Sequence, residues 1–358
     1  MLLYIPTKAY SEEDCVKKHS SEIAEYGKKA MIVTGKHSSR ANGSLGDVEE
    51  ALKHEGIEYI VFDDIEENPS VETVMKAKEI GVNEQVDFVI GIGGGSPLDA
   101  SKAIALMIAN PNETKDVLYQ AKKLSNLPIV CVPTTCGTGS EVTSYSILTL
   151  HEKRTKQSIS HKIFPDMALI DAKYLKSMSR EGIINTTVDA LAHLIESYLN
   201  TNNNELNSIY SREGLRFWRR FKTNLLNNTI TDVDYENMMH ASMIAGMAIS
   251  HTGTSLPHGL SYAITYEMGI PHGRAVGMFL GGFVEEYKDK MAVNDILELL
   301  DFENLDAFRQ YMRALIGEIK VNADLMKMNA TQILENKAKM KNYPFDIDEN
   351  GLINMLED

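Results

Sequence analysis

The sequence predicts two domains in series: an α/β domain with a mostly parallel sheet over residues 1–173, then an all-α domain over residues 174–358. Three observations carry this. The first half alternates short β-branched runs with amphipathic stretches, as strands do when they feed helices on both faces of a sheet. The strand-like runs stop near Tyr174, which places the boundary near residues 172–180. Beyond it, helical apolar spacing takes over in NTTVDALAHLIESYLN, NMMHASMIAGMAIS and NDILELLDFENLDAFRQYMRALIG.

In chain order, AMIVTG (30–35) reads as a strand ending at Gly35, and GDVEEALKHEG (46–56) as a helix closed by Gly56. YIVFDD (59–64) is the next strand and PSVETVMKAKEIGV the next helix. DFVIGIG (87–93) is a buried strand, and GGSPLDASKAIALMIA is a loop opening into a helix. PIVCVPT (128–134) is a further strand. DIDENGLINMLE (346–357) places Asp346, Asp348, Asn350 and Glu357 at Ca²⁺-loop positions, but no exiting helix follows, so it reads as a capped acidic final helix.

Composition narrows the function. The net charge is −14, from 36 basic and 50 acidic residues, which argues against nucleic-acid and anionic-membrane partners. No apolar run approaches the ~20 residues that a membrane helix needs. The N-terminus lacks the basic region of a signal peptide. Three cysteines (Cys15, Cys131 and Cys136) form no CxxC pair and suit a reducing compartment, so a cytoplasmic location is expected.

Two features point to chemistry. FVIGIGGGSPLDASKAIA is a strand, a glycine-rich turn and a helix start, where free N–H groups and the positive end of the dipole suit a pyrophosphate. Ser96 reads as a cap or a phosphate ligand, and Pro97 fits the first helical turn. A second polar loop, PTTCGTGSEVTS (133–144), also follows a strand, where ligands of open α/β sheets sit. In the helical half, Asp189 and His193 lie four residues apart on one helix face. His258 and His272 follow, each beside a Pro and a Gly. One carboxylate and three imidazoles suit Fe²⁺ or Zn²⁺ rather than the oxygen-seeking Ca²⁺ or Mg²⁺.

With GGGSPLDASKA, PTTCGTGSEVT, DALAHLIES and PHGLSY…GIPHG in this order, the chain resembles the iron-containing (group III) alcohol dehydrogenase family. The resemblance implies a Rossmann-like N-terminal domain and a helical C-terminal domain, the architecture shared with dehydroquinate synthase, with the active site in the cleft between them. It implies that Asp189, His193, His258 and His272 hold a metal, Fe²⁺ or alternatively Zn²⁺. Gly94, Gly95, Ser96 and Asp99 would hold the pyrophosphate region. Thr134, Thr135, Thr138 and Ile147 would line the adenine and nicotinamide sites. Lys156 would reach a ribose, and Asn68 would sit by the adenosine.

The expected reaction moves a hydride between NAD(P)(H) and a small alcohol or aldehyde, in a homodimer. Alternatives are a Zn²⁺ glycerol or diol dehydrogenase, a dehydroquinate-synthase-like lyase, and a nucleotide sensor without chemistry. Three departures from the family pattern stand out. Tyr262 replaces a histidine thought to relay protons, which makes it the candidate catalytic group. Cys136 stands where Ala is common. Gly35 stands where several NAD-specific relatives carry Asp. The loop from Gly35 has no acid before Asp47 and offers Lys36, Ser38, Ser39 and Arg40 to a 2′-phosphate, so NADP is expected, with NAD as the alternative.

Overall fold

Among the residues described by this computed structural model, 3–153 and 155–356, six strands form one all-parallel sheet. They are β1 (Lys8–Ser11), β2 (Lys29–Thr34), β3 (Glu58–Phe62), β4 (Phe88–Gly93), β5 (Ile129–Pro133) and β8 (Met167–Ile170), in the order β1-β8-β5-β4-β2-β3. A small antiparallel hairpin, β6 (Ile147–Leu150) with β7 (Thr155–Ser158), stands apart from the sheet. The sheet is covered on both faces, so successive residues of one strand enter different cores. Ala30 and Ile32 join Phe88, Ile90, Val130 and Val132 on one side, while Met31 and Val33 join Val89 and Cys131 on the other. That is why these strands read as continuous apolar runs.

Helices α1 (Ser44–His54), α2 (Val71–Asn83) and α3 (Gly95–Ala109) make the crossovers between the parallel strands. Because β2 lies between β3 and β4, the direction of winding reverses there. The loops after β2 and β4 therefore flank a topological switch point, the usual ligand position in such sheets.

The chain divides into two compact units. The α/β unit comprises Ile5–Thr135 and Gly139–Ser177, and the helical unit gathers Cys136–Thr138 with the chain from Met178 onward. Tyr174 of the α/β unit is fully buried in its core and donates to Asp47 Oδ2 at 2.7 Å. Its neighbour Lys173 pairs with Asp14 and Asp47.

The helical unit opens with α4 (Arg180–Tyr198), whose cap Ser179 accepts from Gly182 N, followed by α5 (Glu205–Asn227). A reciprocal Thr231–Asp234 capping box starts α6 (Asp232–Thr252). Each such cap is worth ~1 kcal/mol. Trp218 of α5 is fully buried and donates its Nε1–H to the Thr187 carbonyl of α4 at 2.9 Å. Then come α7 (Leu256–Met268) and the short α8 (His272–Gly277). Near the C-terminus Asp348 caps a short helix, Glu349–Asn354, by accepting from Gly351 N, and Glu357 lies outside the described residues. Among the described residues, no helix is long and apolar enough to cross a membrane.

Candidate functional site

In the helical unit, α4 carries Asp189 and His193 one turn apart on its buried face. His258 enters from the first turn of α7, and His272 opens α8. The approach of α8 depends on Gly273, since a Cβ there would fall 1.7 Å from the Asn185 carbonyl oxygen of α4. Only a glycine lets the two backbones meet so closely.

The side chains converge on one atom. Asp189 Oδ1 lies 3.3 Å from His258 Nε2, 3.7 Å from His272 Nε2 and 3.9 Å from His193 Nε2. Ligand atoms of Asp189, His258 and His272 all lie within 4.8 Å of one another, a spacing that could hold a metal ion. The His193 ring stacks on His258 with centroids 4.4 Å apart. The Tyr262 ring lies nearly parallel to that of His272, at 5.6 Å and 5°.

The far sides of two rings are tied down. His193 Nδ1 donates to the Gly137 carbonyl at 3.3 Å, and His258 Nδ1 donates to Glu196 Oε1 at 2.6 Å. A carbonyl or carboxylate only accepts, so each Nδ1 carries a proton, and each Nε2 is turned toward Asp189, with His258 Nε2 in hydrogen-bond reach of its carboxylate and free to bind a metal once that nitrogen gives up its proton. Glu196 also accepts from the backbone N–H groups of Ser255 and His258. The sequence reading missed Glu196, although the signal was present: residues 189, 193 and 196 share the i, i+4, i+7 spacing of one helix face.

The electrostatics favour a cation. Burial alone would raise the Asp189 carboxyl, but His193, His258 and His272 outweigh it and hold the group well below the usual carboxylate range. Burial keeps the His193 ring neutral. Burial also opposes charge on His258, yet Glu196 and Asp189 prevail and raise it to about 9. Positive charge beside Asp189 is thus what this pocket stabilises. A carboxylate with buried, oriented imidazoles fits Fe²⁺ or Zn²⁺ by donor type.

In the α/β unit, β4 ends at Gly93, whose φ of +147° turns the chain into α3. The residue before α3 is Gly94, with no side-chain cap, so the first N–H groups of a 15-residue helix are not capped by a side chain. That is a donor set for an anion. Ser96, expected as a cap, instead accepts from Asn68 N at 3.1 Å. Asn68 is left-handed (φ +61°), and its Oδ1 accepts from Lys156 Nζ at 2.7 Å. The structure therefore brings Ser96, Asn68 and Lys156 together beside the helix start. Thr134 is buried and its N–H donates to Gly93 O, whereas Ile147 is 37% exposed.

Several expectations change. The Asp99 carboxylate, expected in the pyrophosphate region, accepts from Ser140 Oγ at 2.5 Å and Ile147 N at 2.9 Å. Thr138 belongs to the helical unit, and Thr134 and Thr135 to the α/β unit. In the loop after β2, Ser39 is fully buried and cannot meet a ligand, while Ser38 and Arg40 stay exposed. Nor is that loop free of acids in space. The end of β3 supplies Asp63 to Arg40 at 2.8 Å and Asp64 to Lys36 at 3.4 Å.

Comparison with known proteins supplies the context. Residues 6–172 match the family described as iron-containing alcohol dehydrogenase, and residues 183–344 match the C-terminal domain of the Fe-containing alcohol dehydrogenase family. An NADPH-dependent butanol dehydrogenase of Clostridium saccharobutylicum is 32% identical over 260 residues, which cover 71% of this chain and 66% of the relative. A long-chain primary alcohol dehydrogenase of Thermoanaerobacter ethanolicus is 29% identical over 259 residues, 71% of this chain and 65% of the relative. The chain thus spans slightly less than two thirds of the length of these relatives. A crystal structure of an iron-containing alcohol dehydrogenase from Thermotoga maritima superposes with a TM-score of 0.90 at 36% identity, covering 99% of this chain and 98% of that one.

Proposed function

Because the chain belongs to the iron-containing alcohol dehydrogenase family, we propose that it is a metal-dependent alcohol dehydrogenase, or aldehyde reductase in the reverse direction, using NAD(P)(H) and a small alcohol or aldehyde. One observation carries the reading: three imidazole Nε2 atoms lie 3.3–3.9 Å from a single oxygen of a buried, ionised aspartate. Asp189, His193, His258 and His272 are the proposed ligands, with Fe²⁺ as the metal and Zn²⁺ as the alternative. When bound, the metal supplies Lewis acidity to a substrate oxygen and the dinucleotide supplies or accepts the hydride.

The chain's own residues do the rest. Asp189 provides the fixed negative charge. Gly137 and Glu196 hold His193 and His258 with Nε2 available. The uncapped start of α3 holds the pyrophosphate, with Ser96, Asn68 and Lys156 alongside. Tyr262, stacked on His272, is the phenol proposed to pass the proton that accompanies hydride transfer.

NADP(H) is the proposed coenzyme. Support comes from Gly35, which places no carboxylate at the start of the loop, and from the exposed Ser38 and Arg40. The Arg40–Asp63 pair is solvent-exposed and worth only ~0–1 kcal/mol, so Arg40 can exchange it for a phosphate dianion. The NADPH dependence of the Clostridium relative points the same way. The reading extends to a cytosolic homodimer. Three buried cysteines outside any disulfide suit a reducing compartment, and sedimentation tests the dimer.

The test is anaerobic loading with Fe²⁺ or Zn²⁺, followed by absorbance at 340 nm with NADPH or NADH and a panel of short aldehydes. Metal-dependent oxidation of the coenzyme is expected. No turnover of any aldehyde or alcohol by the loaded protein would overturn the reading.

A further inference from the structure

Lys102 lies on α3, and its side chain is entirely buried. Its Nζ donates to Ser140 Oγ at 2.7 Å, to the Tyr145 carbonyl at 2.7 Å and to Thr143 Oγ1 at 3.4 Å, and it stands 3.6 Å from Asp99 Oδ1. Asp99 closes the ring. Its carboxylate takes the Ser140 hydroxyl and the Ile147 N–H, and its backbone carbonyl takes Ser146 Oγ at 2.6 Å. One ammonium and one carboxylate therefore tie the helix of the phosphate loop to the length of chain from Ser140 to Ile147. Burial pushes the ammonium down and the carboxyl up, so each needs the other to stay charged.

A buried ion pair of this kind is poor value as a stabiliser, since well-packed apolar side chains of the same volume do as well or better. What apolar side chains could not supply is direction. The Lys102 and Asp99 hydrogen bonds fix hydroxyls, a carbonyl and an N–H along a loop that is irregular between the 3₁₀ turn Ser140–Val142 and the start of β6. That loop ends in Ile147, whose partly exposed side chain follows the N–H held by Asp99.

We propose that Lys102 is a positioning residue for the dinucleotide: acting with Asp99, it sets the 140–147 loop at the place from which that loop and the Gly94–Ser96 turn grip the cofactor together. Lys102 touches neither cofactor nor substrate in this account. The inference rests on the coenzyme reading above.

The experiment measures NADPH and NADH dissociation constants by nucleotide fluorescence, well below the melting temperature, for wild type, Lys102→Met and Lys102→Met with Asp99→Asn. Lys102→Met leaves Asp99 uncompensated and is expected to lose stability. The double variant removes both charges, so it is expected to fold but to bind dinucleotide at least about tenfold more weakly. Kinetically, the loss falls on KM for the dinucleotide more than on kcat, and metal content stays at the wild-type level. A merely structural pair would move the melting temperature and leave the dissociation constant alone. Wild-type affinity in the folded double variant overturns the proposal. Free hydrogen exchange at the 140–147 amides of nucleotide-free wild type overturns it as well, whatever the variants do. A wild type that binds neither dinucleotide overturns the coenzyme reading itself, and this inference with it.

Discussion

Glu196 accepts a 2.6 Å hydrogen bond from His258 Nδ1 in a place where neither side chain meets solvent, at 0% and 2% exposure. The carboxylate fixes the tautomer and rotation of the ring, and through Ser255 N and His258 N it also fixes the backbone that delivers the ring. Partners of this kind typically govern metal affinity by 10–100-fold. Glu196→Gln is therefore expected to weaken Zn²⁺ binding by roughly 10-fold or more, measured by competition with a chromophoric chelator. Unchanged affinity in the folded variant would show that His258 needs no such support.

Gly273 makes a second, purely steric prediction. Any Cβ must displace α8 from the Asn185 carbonyl and draw His272 away from Asp189. Gly273→Ala is expected to cost about 1–3 kcal/mol of stability and to purify with much less metal. A variant with full metal content and wild-type melting would mean that α8 has slack the geometry does not show.

The buried Glu141 yields a pH signature. Burial pushes its carboxyl up to about 7, against the lowering effect of its own backbone and of Lys102. A carboxyl whose folded pKa lies above its unfolded value of ~4.3 binds more protons folded than unfolded in the interval between. Its contribution to stability therefore declines as pH rises from about 4 to about 7, by roughly 4 kcal/mol in total, and is flat above. Urea titrations are expected to show that Glu141→Gln removes this decline. Parallel stability profiles for wild type and variant across that window would refute it.

Coenzyme choice turns on the loop after β2. A Cβ on Gly35 would stand 3.3 Å from the Ile65 carbonyl, a contact that a small shift relieves, so an aspartate can be placed there. Gly35→Asp is expected to weaken NADPH use at least ~10-fold, about 1.4 kcal/mol, and to spare NADH. A wild type that already prefers NADH would sink the argument from this loop.

How much of this was legible in sequence depends on the kind of signal. β2, β3, β4 and β5 announce themselves as β-branched runs bounded by turn residues. β1 (KAYS) is too short to show alternation, and β8 (MALI) is built partly from residues that favour helices, so both edges of the β1–β8 pairing went unread. The β6–β7 hairpin carries no turn dipeptide of the usual kind. At the site, His258 and His272 lie far along the chain and stand out by their Pro and Gly neighbours and the family resemblance, whereas Asp189 and His193 were visible because i, i+4 spacing is local. Glu196 was visible in the same way but was not singled out. By contrast, the pairing of Asp63 with Arg40 joins a residue just past β3 to one in the short helix Ser38–Ala41, and the hydrogen bond from Ser140 to Asp99 comes from a separate loop. The Asp99–Lys102 spacing is the local i, i+3 of one helix, but the reach of either residue to Ser140, like the Arg40–Asp63 pair, is written in no local pattern. The burial of Ser39 and Tyr174 is likewise set by tertiary packing, not by their neighbours in sequence.

The central claim is that Asp189, His193, His258 and His272 hold one metal ion on which alcohol–aldehyde interconversion depends. The most direct measurement is metal content by elemental analysis of anaerobically loaded protein, paired with the 340 nm rate before and after complete chelation. The account predicts one divalent ion per chain in the wild type, loss of both the ion and the rate on chelation, and recovery of both on adding back Fe²⁺ or Zn²⁺. It also predicts that His272→Ala fails to recover either while still binding nucleotide. Full activity in the chelated, metal-free protein would contradict it.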